Sequence, residues 1–145
     1  MFKHILIPTD GSAIAHRAIR NGIAFAKEIH AEVTGIHVMP ELSPYAYQAE
    51  MLADTQEHFT NECIACATSF LLQITDAARE ADVKCDSIYV TSDSPYQKII
   101  QAAQDKGCDL IAMASHGRSG ITQLFLGSQT QKVLTHSHIP VLVYR

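Results

Sequence analysis

The chain has 145 residues, 47% of them apolar and 18% charged, with a net charge of −4; that is the balance of a folded domain with a full core and excludes a disordered chain. The acidic surplus argues against non-specific nucleic-acid binding, which needs an excess of Lys and Arg, yet permits a nucleotide neutralised locally by backbone amides. No apolar run approaches the ~20 residues that span a bilayer, and the opening Met1–Pro8 is too short for a secretory signal, so the four cysteines are expected to stay reduced in a cytoplasmic protein.

Short β-rich runs alternate with longer helical patterns, the signature of a parallel sheet with crossover helices. His4–Ile7 reads as the first strand, stopped by Pro8. Ser12 then caps a helix that sets Ala15, Ala18, Ile19, Gly22, Ala26 and Ile29 on one face. A second strand spans about Ala31–Val38, closed by Pro40, and Glu41–Tyr47 reads as a loop. From there to about Ala81 the spacing predicts a long amphipathic helix with Leu52, Phe59, Cys63, Ala67, Phe70, Ile74 and Ala77 along its buried stripe. Val83–Thr91 is the third strand.

Ser94-Pro95-Tyr96-Gln97 predicts a helix start with a capping box, and Gly107 a helix end. Asp109–Ala114 is apolar from Leu110 onward, which predicts a central strand buried on both faces. A loop from Ser115 to Leu126 leads to a short helix opening at Gly127-Ser128, and Val141–Tyr144 forms the last strand. The fold expected is α/β: one domain over residues 1–145, an open, doubly wound, five-stranded parallel sheet with helices on both faces. In such Rossmann-like sheets the ligand crevice lies beyond the carboxyl ends of the strands, where the strand order reverses. Pro8–Gly11, Val38-Met39 and the stretch from Ala114 onward are then the candidate site segments.

Met113-Ala114-Ser115-His116-Gly117-Arg118-Ser119-Gly120 followed by Gly127-Ser128-Gln129-Thr130 is the informative stretch. It leaves a buried strand, passes through a glycine-bearing loop and enters a helix. A helix start offers unpaired N–H groups and partial positive charge, which suit a phosphate, and nearby glycines let backbone amides approach it. Ser128-x-x-Gln131 is equally a capping box, so Ser128 serving only as a cap fits the same residues. Neither a P-loop nor a G-x-G-x-x-G fingerprint occurs.

With its Ile-Leu-Ile-Pro-Thr-Asp opening, Gly35-Ile36-His37-Val38, Asp109-Leu110-Ile111-Ala112-Met113 and Ile139-Pro140-Val141-Leu142-Val143, the chain resembles the universal stress protein family over essentially its whole length. ATP-binding members carry G-x2-G-x9-G-[ST]. Here Gly117 and Gly127-Ser128 fall on the second and third positions, and Ala114 replaces the first glycine. The resemblance implies an adenine nucleotide alpha hydrolase-like fold that binds ATP or another adenine nucleotide. Pro8, Thr9 and Asp10 would line the adenosine side, Val38 would meet the adenine edge through its backbone, and Met113 would wall the base pocket. Ala114 and Gly117 would approach ribose and phosphates; Gly127, Ser128, Gln129 and Thr130 would supply amides and hydroxyls to the phosphates, with Mg²⁺ bound through phosphate oxygens. Arg118, one residue past Gly117, reads either as a solvated loop arginine or as a reach to the terminal phosphate.

The function implied is a nucleotide-dependent stress-response switch working through a protein partner of unknown identity, as a homodimer joined by the C-terminal strand, with at most slow ATP hydrolysis. A nucleotide-free dimeric interaction module and a slow ATPase or phosphotransferase are the alternatives. Cys63-Ile64-Ala65-Cys66 is a C-x-x-C, but a zinc site commonly needs two such pairs, so both thiols are expected to fill the core. His116 adjoins the proposed site as a proton carrier, a phosphate donor or a plain loop histidine. Ser12 and Ser119 lack a nucleophile motif, and no carboxylate is paired with Asp10 by any motif, so no catalytic residue is assigned.

Overall fold

The computed structural model describes residues 1–41, 53–117 and 126–145. Its elements are β1 (His4–Pro8), α1 (Ala13–Ile29), β2 (Glu32–Met39), α2 (Ala53–Glu80), β3 (Cys85–Thr91), α3 (Pro95–Asp105), β4 (Leu110–Ala114), α4 (Ser128–His136) and β5 (Val141–Tyr144). The strands form one open five-stranded sheet in the order β3-β2-β1-β4-β5, parallel at every pairing, as expected for a doubly wound α/β fold.

Period-2 alternation divides the core into two halves. Ile5 and Ile7 of β1 and Leu110 and Ala112 of β4 pack with Ile19, Ile23 and Ala26 of α1 and Leu71, Ile74 and Ala78 of α2. Leu6, Ile111 and Met113 face the other way, onto Ile99, Ala102 and Ala103 of α3 and Val133 of α4. β4 is buried at all five positions, the central place its sequence predicts.

The helix signals resolve unequally. Ser12 caps α1, its side chain accepting from Ala15 N at 3.2 Å, and Gly107 follows the C-cap of α3 at φ +68°, the left-handed turn glycine permits. The capping box at Ser94 does not form. Ser94 stands at the N-cap, but its hydroxyl makes no cap bond, its own N–H donates to Ser92 Oγ at 3.0 Å, and Gln97 Nε2 donates to Tyr96 Oη. α4 begins one residue later than a Ser128 cap requires: Gly127 is the N-cap and Ser128 the first helical residue.

Two expectations, one about a strand end and one about buried positions, are corrected. β1 runs through Pro8, which pairs in register with Ile36. Thr9 N donates to Ile36 O, so alternation turns the nitrogen of Pro8 away from β2, toward β4. The paired register with β4 covers Ile5 and Leu6, and Pro8 has no N–H with which to extend it. In α2 the buried stripe is Ala67, Leu71, Ile74 and Ala78, while Phe59 and Cys63 are half-buried and Cys66 is exposed. A 28-residue helix is about 42 Å long, whereas the eight-residue β2 spans about 26 Å; the amino-terminal half overhangs the sheet, and the cysteines are not core filler. Leu52 lies outside the described residues. No described helix is long and apolar enough to cross a membrane.

Candidate functional site

The strand order reverses between β1 and β4. Beyond their carboxyl ends, on the side of α3 and α4, lies a cavity of about 320 Å³. One wall comes from the ends of β1 and β2 (Pro8, Thr9, Asp10, Ile36, His37 and Val38), the opposite wall from the end of β4 and the start of α4 (Met113, Ala114, His116, Gly117 and Gly127–Thr130). Every described sequence-predicted site residue therefore borders one space. Arg118 lies outside the described residues, as do Ser119 and Gly120.

The exit of β1 is braced by short-range bonds. Thr9 Oγ1 accepts from Gly11 N at 3.2 Å and Asp10 Oδ1 from Ser12 N at 2.9 Å, turn closures typical of Thr and Asp side chains. His37 Nδ1 donates to the Thr9 carbonyl at 2.8 Å, because a carbonyl can only accept. The ring of His37 stands edge-on to Phe70 at 5.1 Å.

The α4 side supplies the donors. Gln131 N makes the bond to Gly127 O that starts the helix, so the N–H groups of Ser128, Gln129 and Thr130 lack intrahelical partners and open on the cavity they line. The Ser128 side chain is exposed and makes no cap bond. Thr130 differs from its expected role. It is buried, and its hydroxyl donates to the Ala114 carbonyl at 2.9 Å, so its one hydrogen fastens α4 to β4 and is not offered to a phosphate. The Gln129 side chain is engaged as well, Oε1 accepting from Tyr96 N at 3.0 Å.

The motif glycines answer to packing inside the protein. A Cβ on Gly117 would overlap the Asp10 carboxylate. Gly127 has an ordinary φ of −60°, but a Cβ there would sit 2.9 Å from the His116 Cα; its N–H donates to the Ser115 carbonyl at 2.7 Å, drawing the start of α4 onto the end of β4. At the first motif position Ala114 ends a strand and pairs with Tyr144. Positive φ among described non-glycine residues is confined to His30 and Asp82, so the backbone at Ala114 is one any residue adopts.

Sequence reasoning passed over Pro95 and Ile99, which line the cavity. The signal was available, since a helix that follows a parallel strand starts at the carboxyl edge of the sheet and thus brings its first turn to the crevice. His116 borders the cavity with Nδ1 hydrogen-bonded to Ser115 Oγ at 3.0 Å. The lining has the composition a nucleotide asks for: apolar Val38, Met113 and Ile99 for a base, one carboxylate at Asp10, and open amides for phosphate. Among the described residues no three His, Cys, Asp or Glu side chains form a metal cluster.

The sequence profile of the universal stress protein family matches residues 1–145. Universal stress protein YxiE of Bacillus subtilis is 32% identical, with 100% of both chains covered. The solved structure of protein MJ0577 of Methanocaldococcus jannaschii superposes with a TM-score of 0.82 at 31% identity, over 99% of this chain and 95% of that one. More distant structures share the fold. They include a universal stress protein in complex with cAMP (TM-score 0.73, 21% identity, 99% and 97% covered) and one from Archaeoglobus fulgidus in complex with dAMP (0.69, 16%, 100% and 98%). A third, from Arabidopsis thaliana, has AMP bound (0.69, 15%, 97% and 90%). By a profile match over its full length and by this fold, the chain belongs to the universal stress protein family.

Proposed function

We propose that this chain is a cytoplasmic ATP-responsive switch, holding an adenine nucleotide in the β1–β4 crevice and changing its protein contacts with occupancy. The observation that carries the reading is the start of α4. The amides of Ser128, Gln129 and Thr130, which have no partner within the helix, belong to residues lining the same cavity as the apolar Val38 and Met113, phosphate and base halves within one space. The cAMP, dAMP and AMP bound by proteins of the same fold support an adenine ligand. The adenosine side is assigned to Pro8, Thr9, Asp10, Val38 and Met113, and the ribose and phosphate side to Ala114, Gly117 and Gly127–Gln129, with Mg²⁺ on the phosphates.

Hydrolysis is proposed to be slow. In-line phosphoryl transfer needs a group that orients water or an acceptor hydroxyl, whereas the bonds of Asp10 Oδ1 to Ser12 N and of His116 Nδ1 to Ser115 Oγ engage both side chains within the protein. The same domain is proposed to pair with a second copy through β5, an edge strand of four half-buried residues, Val141–Tyr144. The test of the nucleotide reading is to release any ligand from purified protein by heat and identify it by mass, then titrate the emptied protein with ATP. ATP released, or bound on titration, supports the switch. ADP with steady turnover above one event per second replaces it with an enzyme, and no binding at millimolar ATP replaces it with an interaction module.

A further inference from the structure

α4 has nine residues and, among the described residues, three hydrogen bonds tie its amino end to other elements. Gly127 N donates to Ser115 O at 2.7 Å and the Thr130 hydroxyl to Ala114 O at 2.9 Å; both run to the end of β4. The third runs elsewhere. Gln129 Oε1 accepts from Tyr96 N in the first turn of α3, 33 positions away in sequence. Two of these bonds hold the start of α4 to the end of β4, and the third holds it to α3, away from the line joining the first two.

The α3 end makes this tie necessary from both sides. Pro95 has no N–H, and the Ser94 hydroxyl makes no cap bond, so Tyr96 carries the first N–H of α3, and Gln129 caps it from another helix. Around it the Tyr96 ring lies 5.1 Å from that of His136, and Lys132 Nζ lies 5.4 Å from the Tyr96 ring centre. Both are further α4 side chains on the same α3 residue.

We propose that Gln129 is a positioning residue for the phosphate end of the site: by capping α3 it fixes the tilt of α4, and with it the aim of the amides of Ser128, Gln129 and Thr130. The inference rests on the nucleotide reading above. Bonds from amides to a phosphate are charge-assisted and weaken steeply with misalignment, whereas the base contacts at Val38 and Met113 lie on strands that Gln129 does not hold. Loss of the tie therefore discriminates between ligands, weakening those with phosphates and sparing the nucleoside.

The experiment titrates wild type and Gln129→Met with ATP and with adenosine. Methionine keeps the length and the apolar stem and removes the acceptor. Expected is a loss of about five- to tenfold in ATP affinity, the scale of one hydrogen bond of about 1–1.4 kcal/mol, with adenosine affinity within about twofold of wild type. In the wild type, ATP but not adenosine slows hydrogen exchange at the Tyr96 amide, because coupling is reciprocal; this measurement decides if Gln129→Met fails to fold. Equal losses for both ligands, unchanged ATP affinity, or Tyr96 exchange indifferent to ATP each overturn the positioning role while leaving ATP binding by the wild type standing. A wild type that binds no adenine nucleotide overturns the nucleotide reading and this inference together.

Discussion

The Thr130 hydroxyl donates to the Ala114 carbonyl at 2.9 Å, joining the first turn of α4 to the end of β4 across a buried contact. It separates two hydroxyls that look interchangeable in the sequence. Thr130→Val removes the donor at constant shape and strands the carbonyl, which is expected to cost about 1–3 kcal/mol of stability by urea unfolding. Ser128→Ala, at an exposed first helical position without a cap bond, is expected to change stability by under about 0.5 kcal/mol. It should still weaken ATP binding by about 1–2 kcal/mol. Calorimetry returning wild-type ATP affinity for Ser128→Ala would count against phosphate at this helix.

Ala114→Gly tests what the missing motif glycine means. The extended backbone there imposes no positive φ, so a glycine relieves only the crowding of one methyl group at the cavity wall. ATP should bind about three- to tenfold tighter, by up to about 1.4 kcal/mol. The ligand-free melting temperature should stay level or fall slightly, since glycine enlarges the unfolded ensemble. A marked rise in ligand-free stability would instead reveal backbone strain at Ala114.

Gly117→Ala should displace the Asp10 carboxylate, because the added methyl overlaps it. We expect a loss of about 1–3 kcal/mol from the forced shift, and weaker nucleotide binding. The double variant Gly117→Ala, Asp10→Ala should recover stability, since the overlap is gone. Additive losses measured by thermal unfolding would show that Gly117 serves something other than room for Asp10.

Acid stability should carry a signature of Asp109. Burial pushes its carboxyl up, but the backbone N–H groups of His4 and Lys3 outweigh that and hold it below the ordinary carboxylate value. A lowered folded-state pKa gives stability that is fully present above the unfolded value near 4 and lost as pH falls through the folded one. Asp109→Asn should therefore cost on the order of 1 kcal/mol at pH 7, with the gap to wild type closing below about pH 4. A gap that stays constant down to pH 2.5 in urea titrations would rule out the ionic contribution.

Light scattering at tens of micromolar should return twice the chain mass if β5 pairs with its twin, and a Val143→Pro variant, which strips a donor from the edge, should return the monomer. A wild-type monomer would discard the pairing.

The order of elements and both faces of the core were readable from periodicity, because Ile5, Ile7, Leu110 and Ala112 alternate with Leu6, Ile111 and Met113 without interruption. Local signals failed where a distant group took over. Ser94, Pro95 and Gln97 spell a capping box, yet the acceptor comes from Gln129 on another helix, a pairing no local window contains. Thr130 beside Ser128 reads as a second phosphate hydroxyl until the end of β4 is seen next to it. Cys63 and Cys66 fall near an apolar stripe, but how much of α2 the sheet covers depends on the lengths of partners elsewhere in the chain.

Asp109 and Pro8 act at opposite ends of the same pair of strands. At the amino end the Asp109 carboxylate staples the start of β1 to the approach of β4. At the carboxyl end Pro8 turns toward β4 a nitrogen that has no hydrogen to give. At that end of the seam β1 therefore has no peptide hydrogen that would need a partner on β4. The crevice thus opens at the end of the seam where β1 has no peptide hydrogen to offer β4, opposite the end that the Asp109 carboxylate holds.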